Sequence, residues 1–373
     1  MTPSPPAPSP TEVPATASPA FRELIAMLEL YSRETLQQGG SAVLIHLKVG
    51  DQEWSHAAGV RTREGGAAVQ LSDPVHVGGL TQTMVAVSVL KLVDEGKLVL
   101  DDPVSRYVPE IDGLLRPAGQ LSVRQLLGHT SGLPDYYGPL IGAGPARQVL
   151  TTPVSPQQRL ALARTLPLPL GGQQGFNFSR SNYVLLGILV ERLRGRPLAD
   201  VLKADIVEPL SLTATALVGA DPPPADLVHG YLVPAAGDGE PMDVAYPAML
   251  RDSAADGMVS TVQETNTFHA ALLRGELVSP ASLIAMKGSA YSEYGLGLDN
   301  WNDRCTNGSY HGESGEVPGY GSVSMSSADG KRQLTISVAL PPQPLSAVPS
   351  AAVLEMTGLA QLALNAGCRF QFR

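Results

Sequence analysis

Cysteine, aromatic residues and positive charge are all scarce in this chain of 373 residues. Two cysteines, Cys305 and Cys368, cannot build a disulfide scaffold, and without a C-x-x-C pair there is no zinc or redox motif. Aromatics make up 5% of the chain, too few for a base-stacking platform. The 26 Lys and Arg are outnumbered by 35 Asp and Glu, for a formal net charge of −9. With no basic cluster, nothing offers to neutralise phosphates, which excludes a nucleic-acid partner. Long apolar runs are missing as well. The longest charge-free stretch, Gln333 to Leu354, is broken by Pro341, Pro342, Pro344 and Pro349, so membrane insertion is not expected. Residues 1–20 carry seven prolines and no apolar segment of the kind an export signal requires. They read as a disordered tail, and with Met1 as the natural start the expectation is a cytoplasmic protein.

What is present, 43% hydrophobic and 16% charged residues, is the composition of a folded globular protein. Helical periodicity starts near Phe21, with Phe21, Leu24, Ile25, Leu28 and Leu30 assigned to one stripe. Strand-like runs follow at Ser41–Val49 and Gln52–Val60 around a Gly50-Asp51 turn. Thr81–Leu98 reads as an amphipathic helix stopped by Gly96. Near the end, Ser322–Ser327 and Gln333–Leu340 flank an Ala328-Asp329-Gly330 turn, a hairpin signal, and Ala351–Ala366 reads as a last helix. Strands at both ends around a helical middle predict an α/β (α+β) unit over 21–373. Its antiparallel sheet would draw on about 21–78 and 286–373, and its helical region on about 79–285.

Four segments carry a resemblance: HVGGLTQTMVAVSVLKLVDEGKLVLDDPVSRYVPE (76–110), LSVRQLLGHTSGLPDYYG (121–138), FNFSRSNYVLLGILVERLRG (176–195) and GMVSTVQETNTFHAALLRGELVSP (257–280). YGLGL and GESGEVPGYGS follow them. In order and spacing, over about 250 residues, these resemble the serine β-lactamase / D-alanyl-D-alanine carboxypeptidase superfamily. The resemblance implies an antiparallel sheet with flanking helices, a helical domain and a cleft between them. It also implies an acyl-serine mechanism: a serine in S-x-x-K activated by the lysine, a tyrosine relay in Y-x-N, and an H-x-G or K-T-G wall. Serine needs such a base within hydrogen-bond reach to be a useful nucleophile.

At the matching positions this sequence has Gly79 for the serine, Gln82 for the lysine, Phe178 for the tyrosine and Arg180 for the asparagine. Glu313 falls at the third motif, or His311 if the alignment slips. Glycine supplies no nucleophile and an amide is no base near pH 7. Ser88 and Lys91 are a literal S-x-x-K, but nine residues beyond Gly79, about 13 Å further along the helix. They read as ordinary helix residues.

The replacements are polar, which favours Arg180 as an anion holder and Glu313 as a proton acceptor or donor on opposite walls of one cleft. Gly79, Gln82, Phe178, Asn182, Tyr137, His311 and Ser314 are the expected ligand-binding residues. Against this stands a purely structural Arg–Glu pair. His129, Ser131 and Asp135 read as structural. His311 and Glu313 lack a third metal ligand, so neither metal nor cofactor is expected. Three functions are open: a non-acylating reaction (cyclisation, isomerisation or elimination) on a carbonyl- or carboxylate-bearing small molecule bound in the interdomain cleft; ligand or partner binding without turnover; and hydrolysis through an unconventional nucleophile, Thr81, Thr83 or Ser314. Related carboxypeptidases often carry a cysteine pair in the regions of Cys305 and Cys368. The resemblance thus raises a disulfide, with an exported protein as its consequence, against two buried thiols.

Overall fold

A computed structural model describes residues 13–111, 121–167, 175–219, 224–233, 240–288 and 293–367. Residues 1–12 of the proline-rich tail and Cys368 lie outside the described residues, as do parts of the 166–175 and 221–225 loops. Cys305 is disulfide-bonded. Among the described residues no helix is long and apolar enough to cross a membrane.

The described residues form eleven strands: β1 (Ala42–Val49), β2 (Gln52–Gly59), β3 (Val75–His76), β4 (Ala216–Leu217), β5 (Tyr231–Leu232), β6 (Met242–Asp243), β7 (Met258–Ser260), β8 (Asp299–Asp303), β9 (Gly308–Val317), β10 (Tyr320–Ser327) and β11 (Arg332–Ala339). Six of them make an antiparallel sheet in the order β2-β1-β11-β10-β9-β8, built from both ends of the chain. The two sequence-predicted hairpins are adjacent in it, with Ala42 opposite Ala339 and Ala339 opposite Tyr320. The five longest helices are α1 (Pro19–Gln37), α2 (Leu80–Asp94), α3 (Arg180–Arg194), α4 (Val262–Leu273) and α5 (Ala351–Gly367).

Side chains alternate across a strand, and this sorts the sheet's two faces. Val43, Ile45 and Leu47 join Val323, Leu334 and Ile336 beneath α1 and α5, whereas Ala42 and Leu44 face the helical region. On that side Ser324 bonds His269 and Thr335 bonds Asn266, small polar residues that let α4 lie close. Leu30 departs from its expected stripe. It is 48% exposed, because a position two residues beyond Leu28 has turned away from the buried face.

Helix α2 also differs from expectation. It is buried on all sides from Leu80 to Leu90, polar residues included, so it is the central helix rather than an amphipathic surface one. Gly96 ends it with φ +69, and the Gly96 and Lys97 amides close back onto Val93 and Leu92. Ser88 lies deep in its body with no hydrogen-bond partner among the described residues.

Candidate functional site

Helix α2 enters from β3 through Val77, Gly78 and Gly79. Gly78 has φ +54, which favours glycine, but Gly79 has helical angles (φ −55, ψ −20) that any residue could adopt. Space, not conformation, requires glycine there. A Cβ on Gly79 would stand 2.7 Å from the Ser314 carbonyl oxygen. A Cβ on Gly315 would stand 2.3 Å from the Val77 carbonyl and 2.4 Å from the Gly79 nitrogen. The start of α2 is therefore in backbone contact with β9, and the space beside position 79 is filled.

One turn on, Gln82 is fully buried against His129. The Ser179 amide donates to His129 Nδ1 at 3.2 Å and Asn182 Nδ2 does so at 3.0 Å, which leaves Nε2–H to donate to Gln82 Oε1 at 3.0 Å. Ser131 donates to Asn182 Oδ1 at 2.6 Å. Burial, with the Arg180 charge adding to it, pushes His129 down to about 3, so the imidazole is neutral. His129 itself has φ +52, and its ring ties a hydrogen-bonded turn to α2 and α3. Asn182 and Gln82 belong to that network. Thr81 Oγ1 accepts from the Met258 amide and Thr83 donates to the Gly297 carbonyl, both fully buried.

Arg180 is the first residue of α3, where negative partners are also favoured by the helix dipole. Its Nη1 donates to Asp135 at 2.9 Å and its Nε to Asp256 at 3.1 Å. Tyr137 and Phe178 flank the guanidinium, with centroids 4.3 and 5.2 Å away. Although burial opposes its charge, Asp256 and Asp135 hold the guanidinium well above its ordinary range. Among the described residues Nη2 has no hydrogen-bond partner. Asp135, read from sequence as merely structural, is one of the two partners of Arg180. Asp256, the other, was missed; its only signal is its place directly before the Gly257 segment.

Glu313 does not meet Arg180. It turns into a buried acid pair with Asp299 of β8, accepting from Tyr294 Oη at 3.0 Å and from the Ser314 amide at 3.1 Å. Burial raises both carboxyls, Asp299 to about 7; the Asp299 charge raises Glu313 further, while the nearby Glu293 charge raises Asp299 and a hydrogen bond from Glu313 opposes that rise. The two can share a proton. His311 is likewise occupied, bonding Asn300 at 2.6 Å and pushed down to about 4 by burial. The expected Arg180–Glu313 pairing across one cleft is thus corrected: each side chain is claimed by neighbours on its own wall. Ser314, too, is bound to Asp299.

A cleft of about 240 Å³ does open where the helical region meets the sheet, lined by Tyr137, Arg180, Glu316, Val317, Leu340 and the 343–350 segment. Its carboxyl is Glu316, three residues past Glu313, raised by burial and accepting from the Ser350 amide at 2.8 Å. Of the sequence-predicted residues, Arg180 and Tyr137 line this cleft, and Phe178 flanks the Arg180 guanidinium. Gly79, Gln82, Asn182, His311, Glu313 and Ser314 are not among its lining residues.

The six-stranded sheet covered on both faces, the buried central helix and the cleft beside it make a β-lactamase/transpeptidase-like fold, and residues 30–336 match the Beta-lactamase family, to which the chain belongs. Among its relatives is Esterase EstB of Burkholderia gladioli, 31% identical over 222 residues, which are 57% of this chain and 55% of that one. Penicillin-binding protein 4* of Bacillus subtilis (strain 168) is 24% identical over 306 residues, 76% and 65% of the two chains. These matches span between about half and two thirds of the relatives' own length. The crystal structure of D-stereospecific amidohydrolase from Streptomyces sp. superposes with a TM-score of 0.75 at 27% identity, covering 88% of this chain and 97% of that one. D-amino acid amidase from Ochrobactrum anthropi SV3 with D-phenylalanine reaches 0.76 at 23% identity (92% and 98%), a likeness of fold alone.

Proposed function

We propose that this chain is a Beta-lactamase-family protein without acyl-serine chemistry, which binds a small carbonyl-bearing molecule in the Arg180–Glu316 cleft. The observation that carries this reading is the contact between Gly79 and Ser314. An acyl intermediate needs a nucleophile with a base in reach and room for the acyl group. Position 79 has neither side chain nor room, and Gln82 commits its oxygen to His129. The names of the similar proteins, an esterase and an amidohydrolase among them, support a carbonyl compound as the ligand class.

Within the cleft, Arg180 Nη2 can donate to such a carbonyl, and Glu316 is the carboxyl placed to exchange a proton. Cyclisation, isomerisation or elimination would suit that pair. Binding without turnover is the second reading, favoured by the clamping of Arg180 between two carboxylates and two rings. Hydrolysis through Thr81 or Thr83 has little support, since both hydroxyls are buried and engaged. Rates on a chromogenic cephalosporin and on p-nitrophenyl acetate test the proposal. Both should equal the buffer rate, and turnover abolished by Thr81→Val, Thr83→Val or Ser314→Ala would replace the proposal with hydrolysis.

A further inference from the structure

Resting on that binding reading, the charge of the cleft narrows what it accepts. Arg180 and Glu316 are the charged side chains on its lining. Arg180 taken alone would anchor an anion, but Asp135 and Asp256 already hold its Nη1 and Nε. The other cation acting on Asp256, Arg159, spends its Nη2 on the Met249 and Arg251 carbonyls. Two guanidinium groups thus face three carboxyls, counting Glu316. A ligand carboxylate placed on Arg180 would join a guanidinium already shared by two carboxyls, with a third, Glu316, on the same lining, where like charges disfavour one another.

A protonated amine faces the opposite balance. Glu316 accepts from Ser350 and, with two oxygens and about four lone-pair sites, has capacity for more as a carboxylate. An ammonium there would make a charge-assisted bond. Leu232, Val317, Leu340 and Leu345 give the wall an apolar part beside the polar Gln343, Ser346 and Ser350, and the volume lies below the 300–1,000 Å³ typical of larger ligands. We propose that the cleft takes a small, apolar-bodied ligand whose charged group is an amine set against Glu316, not a carboxylate set against Arg180.

Three probes share one isobutyl body and differ in charge: isopentylamine, isovaleramide and isovalerate. Their dissociation constants on the full chain, by ligand-observed NMR titration at pH 7, should place the amine about tenfold tighter than the acid, the range expected of a hydrogen bond to a charged group. Glu316→Gln should erase that preference while leaving the isovaleramide affinity within about twofold. Isovalerate binding as tightly as the amine, or an amine preference that survives Glu316→Gln, overturns the charge assignment and leaves the binding cleft standing. Failure of all three probes to bind overturns the cleft as a ligand site altogether.

Discussion

Restoring a serine at position 79 should harm the protein rather than revive it. Gly79 has helical angles and sits at the N-cap of α2, a place where serine is normally among the best residues. Replacing glycine in such a conformation stabilises a fold by about 0.4–1 kcal/mol when space is free. Here the new Cβ would lie 2.7 Å from the Ser314 carbonyl, so helix or strand must move by about 0.7 Å to reach ordinary contact. The atom in the way is backbone of β9, which is paired with β10 at this position, Ser314 lying opposite Val323. Overpacking of this kind costs about 1–3 kcal/mol, so the sign reverses. Gly79→Ser should be less stable than the parent by about 0.5–2 kcal/mol. At about 2–4 °C per kcal/mol for domains of 150–250 residues, the melting temperature should drop by very roughly 1–8 °C. Differential scanning calorimetry on the two proteins reads this directly. Gly79→Ser/Gln82→Lys should likewise gain no hydrolysis of a chromogenic cephalosporin. A Gly79→Ser variant that melts at or above the parent temperature refutes the closed helix–strand contact.

Arg180→Ala should take from the buried Asp256 carboxylate its hydrogen-bonded cation, leaving only the charge of Arg159 nearby; breaking a buried pair typically costs about 3–5 kcal/mol. A urea midpoint unchanged from the parent would show that the arginine does not hold this wall together. The acid pair gives a pH signature: folded Asp299 keeps its proton up to about pH 7, whereas an unfolded aspartate releases it near 4. Folding therefore takes up a proton in that window, and the pair's contribution to stability falls as pH rises through it. Asp299→Asn removes the aspartate's share of the effect, so its stability relative to the parent should improve between pH 5 and 8; a constant difference would mean that Asp299 takes up no proton on folding. His129 works in the other sense. With its folded value near 3, it costs stability as pH falls below about 6.5, and His129→Asn should blunt acid unfolding, read as the midpoint of a pH titration by circular dichroism.

Much of the fold was legible because local signals and tertiary packing agree. Both hairpins and the terminal helices lie within a residue or two of the ranges their turns and periodicity predict. Helix α2 misled for a physical reason: a helix buried on every side has no polar face to display its period, and polar Thr81, Gln82, Thr83 and Ser88 sit inside it on hydrogen bonds or in small gaps. The site was less legible. Tyr137 and Arg180 were found because they sit within recognisable segments. Partners were not, since sequence spacing does not reveal that Asp256 reaches Arg180 from 76 residues away, or that Asp299 captures Glu313 across a strand pair. Glu316 was overlooked beside the more suggestive Glu313, although only three residues separate them. The cysteines also change weight. Cys305 is disulfide-bonded, a state favoured by oxidising compartments, which counts against the cytoplasmic expectation.

The central claim is that a Beta-lactamase-family fold operates here without a covalent serine intermediate. Intact-protein mass spectrometry after incubation with a penicillin-type acylating probe tests it most directly. The account predicts an unchanged mass for the native protein. A mass increase of one opened probe per chain, mapped to a residue of α2 or β9, would contradict it.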